Sequence, residues 1–178
     1  MQIEKILVLN ATGKVGRNVC RALIESGFDV YGTTRSNKND LVSQGIKPVV
    51  CNYTVRTDLD RAFKQSGAKK AFAVTDYFGA AKSSADEEIR QGRNGIDAAK
   101  AAGVDHFVFM SVADAEFFNE RVKHLKAKVV LEQYLRDSGV PYSILRPCAF
   151  FENFDDPANW NPLKKGVSTT NTSSIYNS

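Results

Sequence analysis

The chain has little of what specialised chemistry most often uses. Its 178 residues include three cysteines, two histidines and one tryptophan. Cys20, Cys51 and Cys148 are odd in number and widely spaced, which excludes a disulfide framework. Two scattered histidines offer no zinc pattern. Long apolar runs are missing as well: the longest are of the size of Ile6-Leu7-Val8-Leu9, against the roughly 20 residues that a membrane span needs. The start, Met1-Gln2-Ile3-Glu4-Lys5, lacks the basic region and apolar stretch of a secretory leader. A reducing, cytoplasmic setting is therefore expected, and the glycosylation-type triplets at Asn10, Asn52 and Asn171 read as chance. Strong charge of one sign is also absent. With 24 Lys+Arg against 20 Asp+Glu the net charge is +4, too mild to call for a nucleic-acid or membrane partner.

What is present is the composition of an ordinary globular protein, 43% hydrophobic and 25% charged. A chain of this length makes about one domain and buries about 70% of its unfolded surface. Short apolar runs alternate with helical stretches. Strands are expected over Lys5 to Asn10, Phe28 to Gly32, Pro48 to Cys51, Ala71 to Thr75, His106 to Ser111 and Tyr142 to Arg146. Helices are expected over Val15 to Ser26, Leu41 to Gly45, Asp58 to Ser66, Ala85 to Ala102 and Arg121 to Ser138, several of them closed by glycine. Strands alternating with helices imply a parallel sheet covered on both faces, and hence a doubly wound α/β sheet of the Rossmann type. The domain is placed at residues 1–166, followed by a polar tail at 167–178.

The first strand runs into Asn10-Ala11-Thr12-Gly13-Lys14-Val15-Gly16, which opens the first helix. This is the spacing of a glycine-rich dinucleotide loop with Asn10 where the first glycine usually stands. Asn tolerates positive φ, so the turn survives the exchange. The loop needs small residues because its backbone N–H groups approach a pyrophosphate, and the helix dipole favours the anion. Gly13 permits that approach and Gly16 permits close helix packing. NAD binders carry an acid at the end of strand 2 for the ribose hydroxyls. Here that place reads Thr33-Thr34-Arg35-Ser36, with no acid before Asp40. Arg35 can pair with a 2′-phosphate, which favours NADP(H) over NAD(H).

The segments NATGKVG, TTRS, AFAVTDYF, GRNGIDAAKAAGVDHFVFMS, HLKAKVVLEQYLRDSGVPYSILRP and CAFFENF resemble the NmrA-like family, a branch of the atypical short-chain dehydrogenases. The resemblance covers about residues 3 to 165. It implies a Rossmann fold with NADP(H) at the carboxyl ends of the strands. It puts the phosphates on Asn10 to Gly16, the 2′-phosphate on Arg35, and the adenine side on Asn52 and Tyr53. The nicotinamide side falls on Thr75, Asp76, Tyr77, Lys128, Phe150, Phe151, Glu152 and Asn153, with ordinary core packing as the competing reading for Tyr77, Phe78, Phe150 and Phe151. The family also continues for a hundred or more residues, so the C-terminal subdomain is expected to be truncated here.

Working short-chain dehydrogenases use a Tyr-x-x-x-Lys pair on one helix face. The spacing persists here in His124 and Lys128, with His in place of Tyr. The resemblance then leaves two functions open. One is an NADP(H)-binding, redox-linked regulator with little or no turnover, in which Lys128 only grips the cofactor. The other is an NADPH-dependent reductase of quinones or similar small carbonyl compounds, with Lys128 or His124 as proton donor. Arg121, Lys123, Lys126 and Lys128 read as a solvated basic face. Besides the cofactor, a regulatory protein partner or a second copy of the chain fits the reading; nucleic acid and membrane do not.

Overall fold

A computed structural model describes residues 3–36, 39–118, 123–148 and 150–151, with the backbone alone at 39–40, 118 and 123–124. Its contacts divide the chain into two units, Met1–Arg146 and Pro147–Ser178. The first contains six parallel strands: β1 (Lys5–Val8), β2 (Asp29–Thr34), β3 (Lys47–Val50), β4 (Lys70–Ala73), β5 (His106–Met110) and β6 (Tyr142–Leu145). They lie in the order β3-β2-β1-β4-β5-β6, which places the reversal of winding between β1 and β4. The helices are α1 (Lys14–Glu25), α2 (Asn39–Val42), α3 (Arg56–Ser66), α4 (Ala85–Ala102), α5 (Ala115–Phe118) and α6 (Lys123–Asp137). This is the expected doubly wound Rossmann sheet.

Alternation along each strand feeds two cores. Leu7 and Leu9, with Ala71, Ala73, Phe107 and Phe109, face α3, α4 and α6. Ile6 and Val8, with Val30 and Phe72, face the other way, toward Cys20 of α1 and Leu41 of α2. The parallel ladder sets the register, with Leu7 opposite Tyr31 on one side and Ala71 on the other. α3 and α4 both end on a left-handed glycine, Gly67 and Gly103, as their sequence ends suggest. α4 begins on Ser84, whose hydroxyl accepts from the Glu87 N–H, and its first turn is acidic.

Two differences from the sequence reading have plain causes. β1 was expected to reach Asn10 but ends at Val8, because Asn10 takes φ 61° and turns the chain out of the extended region. α5 was not expected: its four residues carry no apolar period, and Phe117 on it is exposed. Among the described residues, no helix is long and apolar enough to cross a membrane.

Candidate functional site

The carboxyl ends of β1 to β4 converge on a cleft lined by Asn10, Thr12, Thr33, Thr34, Arg35 and Cys51, with Asn52, Tyr53, Asp76 and Ala80 completing it. These are the ends where open α/β sheets hold ligands, at the reversal of strand order. The loop after β1 supplies one wall. Asn10 adopts the left-handed conformation that the sequence requires of it. Its N–H donates to Thr33 Oγ1 at 2.9 Å, tying the turn to the end of β2. A Cβ on Gly16 would stand 2.2 Å from the Asn10 carbonyl oxygen, so the first turn of α1 rests directly on the loop backbone. Gly13 is the N-cap and has no side-chain cap, and no acid stands in the first turn. The opening turn of α1 is thus arranged as an anion site would require.

The β3 side of the cleft is braced from behind. Asn52 N–H donates to Asp58 Oδ2 at 2.9 Å, and Asn52 Oδ1 accepts from Thr54 N–H. Arg90 and Asn94 of α4 both donate to the Thr54 carbonyl. Tyr53 is buried against Gly95, where a Cβ would come within 3.0 Å of its ring, and burial pushes its hydroxyl well above the usual phenol range. On the β4 side, Asp76 is spent on its own loop. Its carboxylate accepts from the N–H groups of Gly79 and Ala80. Positive φ at Lys82 and Ser83 completes that tight loop. The cleft encloses about 40 Å³.

Next to Asp76, Thr75 is buried and belongs to a second cluster. Lys128 Nζ donates to Thr75 Oγ1, and Thr75 Oγ1 donates to Glu88 Oε1 at 2.6 Å. Lys128 Nζ is also 2.9 Å from Glu88 Oε1 and stands 5.6 Å above the Phe109 ring. Its side chain is only 12% exposed. Lys128 is therefore not part of a solvated basic face, as the run of cations on this helix suggests; only Lys126 of the described side chains there is exposed.

The structure thus brings Asn10, Thr12, Arg35, Asn52, Tyr53 and Asp76 around one cleft, and places Thr75 and Lys128 together beside β4. Ala11 is buried and Lys14 is exposed at the start of α1, with Val15 packed on the sheet. Tyr77 meets the exposed Phe78 edge-on at 5.0 Å, so Phe78 is not a core residue. His124 lies on α6 one turn before Lys128, with its side chain outside the described residues. Phe150 and Phe151 belong to the second unit and are exposed, and Glu152 and Asn153 lie outside the described residues. Glu88 was missed by the sequence reading. It sits among Asp86 and Glu87 in an acidic first turn and reads as helix-dipole decoration. The available signal was its phase: Glu88, Gly92, Gly95, Ile96 and Ala99 share the buried stripe of α4.

Compared with known proteins, residues 2–175 match the family model described as the NmrA-like family. The chain is similar to the (4-alkanoyl-5-oxo-2,5-dihydrofuran-3-yl)methyl phosphate reductase of Streptomyces griseus, 34% identical over 162 residues, which covers 88% of this chain and 51% of that protein. It is similar to the photosystem II assembly factor Ycf39 of Cyanophora paradoxa, 27% identical over 150 residues, covering 83% of this chain and 46% of that one. Among solved structures it resembles an NADPH-dependent quinone oxidoreductase of Escherichia coli complexed with NADPH. There the TM-score is 0.71 at 26% identity, with 84% of this chain and 50% of that chain covered. The chain spans about half the length of these relatives.

Proposed function

On the premise that this chain belongs to the NmrA-like family, we propose that it binds NADP(H) across the carboxyl ends of its strands and reduces quinones or similar small carbonyl compounds. The observation that carries the binding is the loop from Asn10 to Gly16. Its left-handed first residue, and the glycine contact that seats the first turn of α1 directly on the loop backbone, bring the start of α1 to the edge of the cleft. Those residues fit a pyrophosphate. Arg35, exposed at the end of β2, fits a 2′-phosphate and supports NADP(H) over NAD(H). Asn52 and Tyr53 fit the adenine side.

A bound NADPH supplies the hydride. The chain's own part is to hold and to protonate. The contact of Lys128 with Thr75 supports a role for its ammonium in gripping a ribose hydroxyl or giving a proton to a reduced oxygen. The cleft is far smaller than the roughly 300–1,000 Å³ of a ligand site. Asp76 and Ala80 of loop 76–84 bound its β4 side.

A second reading is a redox-linked regulator with little or no turnover. It draws on His124 standing where working short-chain dehydrogenases have Tyr. The reductase reading draws on the names of the relatives. Calorimetric titration with NADPH and with NADH tests the shared premise. Tight NADPH with weak NADH is expected, and no binding of either by the folded chain overturns both readings. NADPH oxidation in the presence of a simple quinone then separates them. Turnover that Lys128→Ala abolishes supports the reductase, and tight binding without turnover supports the regulator.

A further inference from the structure

The interface between α4 and α6 is tight and apolar at one rung and charged at the next. A Cβ on Gly92 would come within 2.4 Å of the Leu131 methyl groups, so the helices approach closely there. One turn nearer the carboxyl ends of the strands, Glu88 of α4 faces Lys128 of α6. Glu88 is fully buried, and only its Oε1 is engaged, by Thr75 and Lys128. Its Oε2 is buried with no hydrogen-bond partner among the described residues.

Such an arrangement is a poor way to stabilise a fold. A buried polar atom without a partner is destabilising, and a buried ion pair is often replaceable by apolar residues with no loss of stability. What the pair does provide is direction. An unpaired lysine side chain samples many rotamers. Here Glu88 and Thr75 fix the ammonium from one side while the Phe109 ring bounds it from another. The fixed point lies beside residue 75, where the chain leaves β4 for the cleft.

We propose that Glu88 is a positioning residue for Lys128: it holds the ammonium against Thr75 in the orientation in which Lys128 serves the NADP(H) site. The inference rests on the reading of that site given above. It also means that Lys128→Ala on its own leaves a buried carboxylate without its cation, so that variant loses stability as well as any function at the site.

The test uses the full chain and compares Glu88→Gln, Lys128→Met and the double variant Glu88→Met/Lys128→Met. Three quantities are read: NADPH affinity by calorimetry, thermal midpoint, and acetylation of Lys128 by an N-hydroxysuccinimide ester, located by mass spectrometry without nucleotide. Glu88→Gln is expected to raise the acetylation rate of Lys128 several-fold. Glu88→Gln and Lys128→Met are each expected to weaken NADPH by about tenfold or more, the scale of a charge-assisted hydrogen bond. The double variant should be no weaker than Lys128→Met, and should keep the wild-type thermal midpoint.

Unchanged acetylation in Glu88→Gln overturns the positioning role, whatever happens to nucleotide binding. Raised acetylation in Glu88→Gln together with wild-type NADPH affinity in Lys128→Met shows instead that Lys128 is outside the site, and the proposal falls with that part of the functional reading. A double variant that loses its thermal midpoint but keeps NADPH affinity makes the pair structural and also overturns the proposal.

Discussion

A methyl group on Gly16 would meet the Asn10 carbonyl oxygen at 2.2 Å and Ala11 Cα at 2.8 Å. These are backbone atoms in a turn already bound to Thr33, and they have little room to move. Gly16→Ala should therefore destabilise the fold by more than about 2 kcal/mol, the range of overpacked or strained sites. Denaturant unfolding checks this, and a wild-type midpoint would mean that the loop relaxes. The proposed preference for NADP(H) rests on Arg35. Arg35→Ala should weaken NADPH by at least about tenfold while leaving NADH nearly untouched, since a lost charge-assisted contact to phosphate is worth about 1.5–3 kcal/mol. Equal losses in calorimetry would remove the 2′-phosphate from Arg35. Gly16 was legible in the sequence because its packing depends on neighbours a few positions away. Asn10 is the same kind of case: a residue tolerant of positive φ stands where the turn demands it.

At the scale of elements, Glu132 ties α6 to β6 and α5. Burial is the largest single influence and pushes its carboxyl up, but the Arg146 guanidinium, at 2.5 Å and 2.9 Å from its two oxygens, together with Ser111 and Arg136, outweighs this and holds it below the usual carboxylate range. Arg146 also reaches Glu116 of α5. A depressed folded-state value stabilises the fold above the unfolded-state value of about 4.3 and loses that contribution as pH falls through the folded one. Thermal midpoints should therefore fall more steeply on acidification below about pH 5 in the wild type than in Glu132→Gln. At neutral pH the variant should melt lower, because Arg146 and Arg136 lose their shared carboxylate. Parallel acid limbs would show that the ion pairs do not set acid stability. α4 was expected at Ala85 to Ala102 and lies there, since a serine cap and a terminal glycine mark its ends. The sequence reading put Lys128 on the nicotinamide side, but its burial was not legible at this scale. A cation among cations on a helix offers no sign of burial, and the groups that enclose it, Glu88, Thr75 and Phe109, come from other elements.

At the scale of the whole molecule, the two cores keep two of the three thiols out of reach. Burial pushes Cys20 up to about 12 and Cys51 likewise, whereas Cys148 is exposed. A thiol reagent at pH 8 should label Cys148 within minutes and leave Cys20 and Cys51 untouched until the fold opens, since the thiolate is the reactive form. Rapid labelling of Cys20 or Cys51 in the folded protein would mean that the sheet faces open far more often than their packing allows.

What the sequence by itself determined is local or periodic. The order of strands and helices follows from apolar runs separated by glycine-closed helices, and the doubly wound sheet follows from that order. The glycine loop and the basic end of β2 lie within single βα units, so their spacing was visible. The tertiary structure alone decided the rest. Glu88, Thr75 and Lys128 come from α4, the end of β4 and α6, and no spacing along the chain announces that they meet. That outcome is set by which groups are desolvated together, and it is fixed only when the helices pack on the sheet.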